Sequence, residues 1–298
     1  MKILLPVHTG EHSLEAAAFV ASRCALIGAN PEIVLLNVQQ PAFAGLPTQA
    51  ARERLQQFYA KEAAKALDPA RAILAAAGLS AQTMHVSGQP GARIAQTAKL
   101  LAVDLIVLGG GCRPPAAGAL LGSVAAEVLA RCRTPVLLLH GAEHPPDRGM
   151  RVGIAVDGSP YGNAAVKFVL RHLPLFGAEP KFALIHVVRE GALQVQALLA
   201  DLTAAGISFE TMRALRRQAF ERALRTPLRL FTRAGLAPQS VDLAGDPGEA
   251  IADYAQRECD LLVMGSHGHG PLSSAVLRST ALHVASHCKV PLLLIRRP

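Results

Sequence analysis

The chain has no tryptophan, 4% aromatic residues and five cysteines among 298 residues. Those cysteines, Cys24, Cys112, Cys132, Cys259 and Cys288, are odd in number and form no C-x-x-C pair. That speaks against a disulfide framework, a zinc knuckle or a dithiol redox centre. Most lie in apolar segments of helical period, so buried, reduced thiols are expected. Long hydrophobic runs are missing too. The N-terminal "MKILLPVHTG" reaches His8 too soon for a signal peptide or a membrane span, and a cytoplasmic protein is expected. No G-x-S-x-G elbow and no loop ending in G-K-[ST] occurs, which disfavours a serine hydrolase and an efficient ATPase. Slow hydrolysis is as much as an enzyme reading retains.

What is present suits two domains. At 51% apolar residues, each half of such a chain can bury its own core. The net charge of +8 is uneven: residues 1–147 carry 12 Lys+Arg against 10 Asp+Glu, and residues 148–298 carry 18 against 12. The excess is concentrated in "MRALRRQAFERALRTPLRLFTRAG", which holds seven arginines and one glutamate.

The halves repeat one another. "ILLPVHTGEHSLEAAAFV" answers to "VGIAVDGSPYGNAAVKFV", "VSGQPGARIAQTAKLLAVDLIVLGG" to "LAGDPGEAIADYAQRECDLLVMGS", and "LARCRTPVLLL" to "VASHCKVPLLL". The offset is 149 residues from Val7 to Val156 and 156 from Pro135 to Pro291, so the added residues fall around the arginine-rich segment. Domains over 1–141 and 150–298 are expected, joined by a Pro-containing polar linker over 142–149. Within each half, short Ile/Val/Leu runs alternate with helical segments as β-α-β-α-β-α-β-α-β. Strands are expected near Ile3–Val7, Ile33–Val38, Thr83–Val86, Leu105–Leu108 and Val136–Leu139. Their counterparts fall near Val152–Val156, Phe182–Val187, Gln239–Leu243, Leu261–Met264 and Leu292–Ile295. Runs apolar on both faces imply a buried parallel sheet with right-handed crossovers. The fold class is α/β: two tandem doubly wound domains, each a five-stranded parallel sheet with helices on both faces.

Such sheets bind ligands beyond the carboxyl ends of their strands. In the second half that position gathers Asp157 with Gly158 and Ser159, the end of the second strand in "LIHVV", which includes Val187, and the loop "GSHGHGPLSSAVLRST". Backbone N–H groups of a glycine-rich turn, together with a helix start, offer donors to phosphate oxygens, and Ser279 and Thr280 add hydroxyls.

On these residues each half resembles a universal stress protein domain, and the whole chain resembles a tandem member of that family. Nucleotide-binding members carry a loop G-x2-G-x9-G-[ST] and an aspartate at the end of strand one. The resemblance implies ATP held by the loop, the aspartate near the adenosine, and the end of strand two near the adenine. In the second half Gly265, Gly268 and Ser279 fit the pattern, Asp157 is in place, and His267, Val187 and Thr280 border the site. Arg278 stands where the third glycine is expected. Its guanidinium would either grip a phosphate or fill the cradle. In the first half Gly109, Gly122 and Ser123 fit, followed by Val124, but Cys112 replaces the second glycine and His8 the aspartate. Pro114 and Pro115 stiffen that loop and remove donors, and a neutral histidine does not accept as a carboxylate does.

His267 and His269 have no third ligand spaced nearby, so no protein-bound transition metal is expected, and a Mg²⁺ would arrive with ATP. Arg222, Arg225, Arg229 and Arg233 make one stripe if the helix persists past Pro227, with Leu215, Phe220, Leu224, Leu228 and Phe231 packing on another face. A solvated face is expected there. Nucleic acid is disfavoured because no aromatic stacking platform accompanies the stripe. The fifth strands, "PVLLLH" and "PLLLIR", are edges of their domains, and by the family resemblance they pair across the duplication. A homodimer of two chains is further expected. Three functions compete: a non-enzymatic stress-response protein binding adenine nucleotide and acting through protein partners, a nucleotide-free scaffold or chaperone-like module, and a slow nucleotide hydrolase.

Overall fold

The computed structural model describes residues 1–10, 12–23, 31–40, 48–110, 121–140, 149–189, 208–266 and 280–296. Its elements fall into two compact units. Unit 1 runs β1 (Lys2–Pro6), α1 (Ser13–Ser22), β2 (Glu32–Gln39), α2 (Gln49–Ala76), β3 (Ala81–Ser87), α3 (Pro90–Leu100), β4 (Leu105–Leu108), α4 (Ser123–Arg131) and β5 (Val136–Leu138). Its strands lie in the order β3-β2-β1-β4-β5, every pair parallel. Unit 2 repeats the series as β6 (Arg151–Ala155), α5 (Pro160–Arg171), β7 (Lys181–Arg189), α6 (Phe209–Arg233), β8 (Gln239–Gly245), α7 (Pro247–Glu258), β9 (Leu261–Ser266), α8 (Thr280–His287) and β10 (Leu292–Arg296). Its order is β8-β7-β6-β9-β10, again parallel. All ten expected strands are present, within two residues at each end.

The two-faced apolar runs become central strands because only a strand covered on both sides can be apolar at successive positions. Ile3, Leu4 and Leu5 of β1 and Leu105, Ile106 and Val107 of β4 are fully buried, as are Leu261, Leu262 and Val263 of β9. Connections β1 to β3 step one way across the sheet and those from β3 to β5 step the other. Right-handed crossovers therefore set α1 with α2 on one face and α3 with α4 on the other, and these are the helices that pack together. Unit 2 pairs α5 with α6 and α7 with α8 in the same way. An aspartate pins the start of the central pair in each unit. The Lys2 N–H donates to Asp104 Oδ2 at 2.7 Å, and the Arg151 N–H to Asp260 Oδ2 at 2.8 Å.

The arginine-rich segment is helical throughout α6, passing Pro227 without a break. Arg222, Arg225, Arg229 and Arg233 are exposed. The expected apolar face is only partly formed: Leu224 and Phe231 are buried, whereas Leu215 is 56% exposed. The reason is helical phase: Leu215 stands nine residues before Leu224, about 180° round the helix, and so falls on the arginine side. Phe231, near the other end, packs against Phe182 with ring centroids 5.2 Å apart.

Cys132, Cys259 and Cys288 are free and buried, and burial pushes the Cys259 thiol up to about 12. Cys24 and Cys112 lie outside the described residues. Among the described residues no helix is long and apolar enough to cross a membrane.

His140 follows β5, and both its ring nitrogens are buried without a hydrogen-bond partner among the described residues. Burial lowers its pKa from 6.5 to about 4. Between those values the unfolded chain binds a proton that the folded chain refuses, so stability rises with pH across the window. The contribution is full above pH 6.5 and lost as pH falls through about 4, a change of about 3 kcal/mol. Urea midpoints measured from about pH 7 down to about pH 4 should fall accordingly, and His140→Leu should flatten the decline. An equal pH dependence in the variant would remove His140 as the cause.

Candidate functional site

In a sheet of this order, crossovers diverge between the first and fourth strands and leave a crevice at their carboxyl ends. In unit 2 the crevice lies between β6 and β9. Beyond β6, Asp157 Oδ1 accepts the Ser159 N–H at 2.9 Å, turning the chain through Gly158 at φ +77°. Ser159 then caps α5, its Oγ accepting the Gly162 N–H at 3.2 Å. Gly265, in β9, lies against the same turn. A Cβ there would strike the Tyr161 carbonyl and stand 2.9 Å from the Gly162 nitrogen. The strand end therefore crosses the first turn of α5 backbone to backbone, which only glycine permits.

These contacts enclose a cleft of about 390 Å³. Ile185, Val187, Pro247, Ile251 and Met264 supply apolar walls, and Asp157, Ser266 and Thr280 supply polar groups. Of the residues expected from sequence, Asp157, Val187, Gly265 and Thr280 are thus brought together. His267, Gly268, Arg278 and Ser279, with His269, lie outside the described residues.

Unit 1 has the corresponding cleft, of about 470 Å³, and Gly109, Gly122, Ser123 and Val124 all line it. Cys112, Pro114 and Pro115 lie outside the described residues. Gly109 has the same duty as Gly265: a Cβ would strike the His12 carbonyl and approach the Ala16 nitrogen to 3.4 Å. His8 reproduces the turn made by Asp157, its Nδ1 accepting the Gly10 N–H at 2.9 Å. The Ser13 hydroxyl secures it by donating to the His8 carbonyl at 2.6 Å. The histidine thus replaces the carboxylate as a turn acceptor, which its residue type alone did not suggest.

Sequence reasoning missed Glu15. This carboxylate is buried, with Oε1 2.8 Å from His12 Nδ1 and Oε2 accepting the Gly110 N–H at 3.2 Å. The available signal was one acid set in the apolar run "SLEAAAFV". It also missed Pro90 with Ile94 and Pro247 with Ile251 as cleft walls, although the recurring P-G-x-x-I marks both pairs.

A family model described as the Universal stress protein family matches residues 1–140 and again 150–296. A universal stress protein of Methanocaldococcus jannaschii is 28% identical over 138 residues, 46% of this chain and 81% of that protein. The crystal structure of a universal stress protein from Archaeoglobus fulgidus is similar over 100% of this chain and 98% of its own, with TM-score 0.71 and 22% identity. A functionally unknown protein from Pseudomonas aeruginosa covers 99% of this chain and 92% of its own, with TM-score 0.59 and 19% identity. At these identities the structural likenesses speak for the fold.

The glycine crossing is testable apart from any ligand. Gly265→Ala forces a methyl into the Tyr161–Gly162 backbone and should lower unfolding free energy by roughly 2 kcal/mol, read as a drop in urea midpoint. Unchanged stability would show that the crossing relaxes freely.

Proposed function

Because the chain belongs to the universal stress protein family and carries two of its domains in tandem, we propose that it binds ATP in the unit 2 cleft and acts as a stress-response protein. The observation that carries this reading is the convergence of Asp157, Val187, Gly265 and Thr280 on one cleft of about 390 Å³, within the size range of small-molecule sites. The residues fit the group chemically. Apolar walls at Val187 and Ile251 suit a base, the Asp157 carboxylate accepts from ribose hydroxyls, and the Thr280 hydroxyl stands at the start of α8, where phosphate oxygens are favoured. Gly268 and Ser279 would extend the phosphate cradle, His267 would border it, and Arg278 would supply a charge-assisted contact. A Mg²⁺ would enter with the triphosphate.

In this reading the chain binds without chemistry, works as a cytoplasmic homodimer and passes its state to protein partners. The described polar groups of the cleft include no nucleophile held by a base, the pairing an efficient hydrolase needs.

Nucleotide released on denaturing the purified chain should be adenine nucleotide, and calorimetry should show ATP binding. Asp157→Asn keeps an oxygen for the Ser159 turn and removes the charge, so it should weaken ATP by roughly tenfold or more with little loss of stability. No released nucleotide and no heat at millimolar ATP would overturn the proposal. So would binding that appears only in Arg278→Gly, since the arginine would then be a plug.

A further inference from the structure

The two clefts are built from corresponding positions and part company at their polar ends. The apolar slot is retained: Val38 answers to Val187, Pro90 to Pro247 and Ile94 to Ile251. The polar groups are exchanged, with His8 for Asp157, Gly110 for Ser266 and Val124 for Thr280. The first cleft has thereby lost a carboxylate and two hydroxyls.

A fourth exchange stands behind the wall. Where unit 2 has Ala164, unit 1 has Glu15, with its side chain 8% exposed. Glu15 Oε2 accepts the N–H of Gly110, the residue that follows the glycine crossing and itself lines the cleft. A donor at the opening of the loop is thus already taken by an internal carboxylate. A phosphate arriving there would meet an occupied donor and a carboxylate of like charge, whose other oxygen is held by His12 at 2.8 Å.

We propose that the unit 1 cleft takes an uncharged ring compound of nucleoside type and that Glu15 is the group that refuses phosphate there. The ring class rests on the reading of unit 2 as a nucleotide site, since the apolar slot is shared. The refusal of phosphate rests on Glu15. His8 suits a neutral ligand as well: with Nδ1 accepting from Gly10, the neutral ring carries its proton on Nε2 and can donate to a hydroxyl. The site therefore offers a donor where unit 2 offers a carboxylate.

The test reads both clefts in one sample. Ile94 and Ile251 are equivalent wall residues, 2% and 5% exposed, and their δ1 methyls can be labelled with ¹³C in the full chain and assigned by Ile94→Val and Ile251→Val. Adenosine should shift the Ile94 methyl, whereas AMP and ATP should leave it unmoved at sub-millimolar concentrations. Glu15→Ala should admit AMP, lowering the concentration that moves Ile94 by about tenfold or more, the change expected on removing a buried like charge. Glu15→Gln keeps the shape and an acceptor oxygen. It should act in the same direction and stands in if the alanine variant does not fold. AMP or ATP moving Ile94 below millimolar in the unaltered chain would overturn the proposal. Adenosine failing to move Ile94, or both Glu15 variants still refusing AMP, would also overturn it. Failure of the unit 2 reading shows separately, as an Ile251 methyl unmoved by ATP.

Discussion

The crossing of the fourth strand over the first turn of the first helix governs both units. Gly265 lies against Tyr161 and Gly162, and Gly109 against His12 and Ala16, with no room for a Cβ in either place. The opposite end of the same strand pair is held by an aspartate that receives a first-strand N–H, from Lys2 to Asp104 and from Arg151 to Asp260. The central strands are thus pinned at both ends, and pinning sets their register: Ile3 beside Leu105, Val152 beside Leu261. The strand-one turn and the strand-four loop are consequently delivered to one crevice, whatever side chains they carry. The cleft follows from the backbone, and its chemistry is added afterwards.

That order explains what could be read from the sequence. Eight of the ten strands were legible because burial leaves an apolar run, a pattern that needs no tertiary knowledge to recognise, whereas β3 and β8 are largely exposed and were marked only by short Val-containing stretches in the repeat. The repeat was legible because the pinning residues recur with it. Asp157 could be placed by its position at the end of the first strand, and Gly265 and Gly109 by the resemblance to the family's loop, yet the duty of the two glycines could not. Spacing does not distinguish a glycine that admits a ligand from one that admits the protein's own helix. Glu15 was beyond reach for another reason. Its partner Gly110 is 95 residues away, and only the folded crossing brings α1 to the loop. The exposure of Leu215 was encoded in periodicity, which sets it about 180° from Leu224 and on the arginine side of α6.

The helix pairs on the far face show the same division between fixed backbone and free side chain. Gly91, at the start of α3, lies under Glu127, and Gly248, at the start of α7, lies under His283. Each glycine keeps its helix pair close, while the side chain covering it differs. In unit 1 Glu127 pairs with Arg131 at 3.0 Å, and in unit 2 the corresponding His283 and His287 stack with ring centroids 4.2 Å apart. An ion pair and an aromatic stack are interchangeable here because neither carries the approach of the helices.

The clefts obey the same rule. A Cβ at Gly109 or Gly265 would strike first-helix backbone in either unit, so exchange at those positions strains the crossing itself. A change from Asp157 to His8 leaves the turn standing, because each side chain supplies one acceptor to the N–H two residues on, at 2.9 Å in both. What such a change alters is the charge presented to a ligand. Glu15 takes the same freedom a step further, for it adds a carboxylate behind the loop without disturbing the crossing that forms the cleft. Two copies of one backbone therefore present clefts of different chemistry, with the difference carried by a handful of side chains at the polar end of each slot.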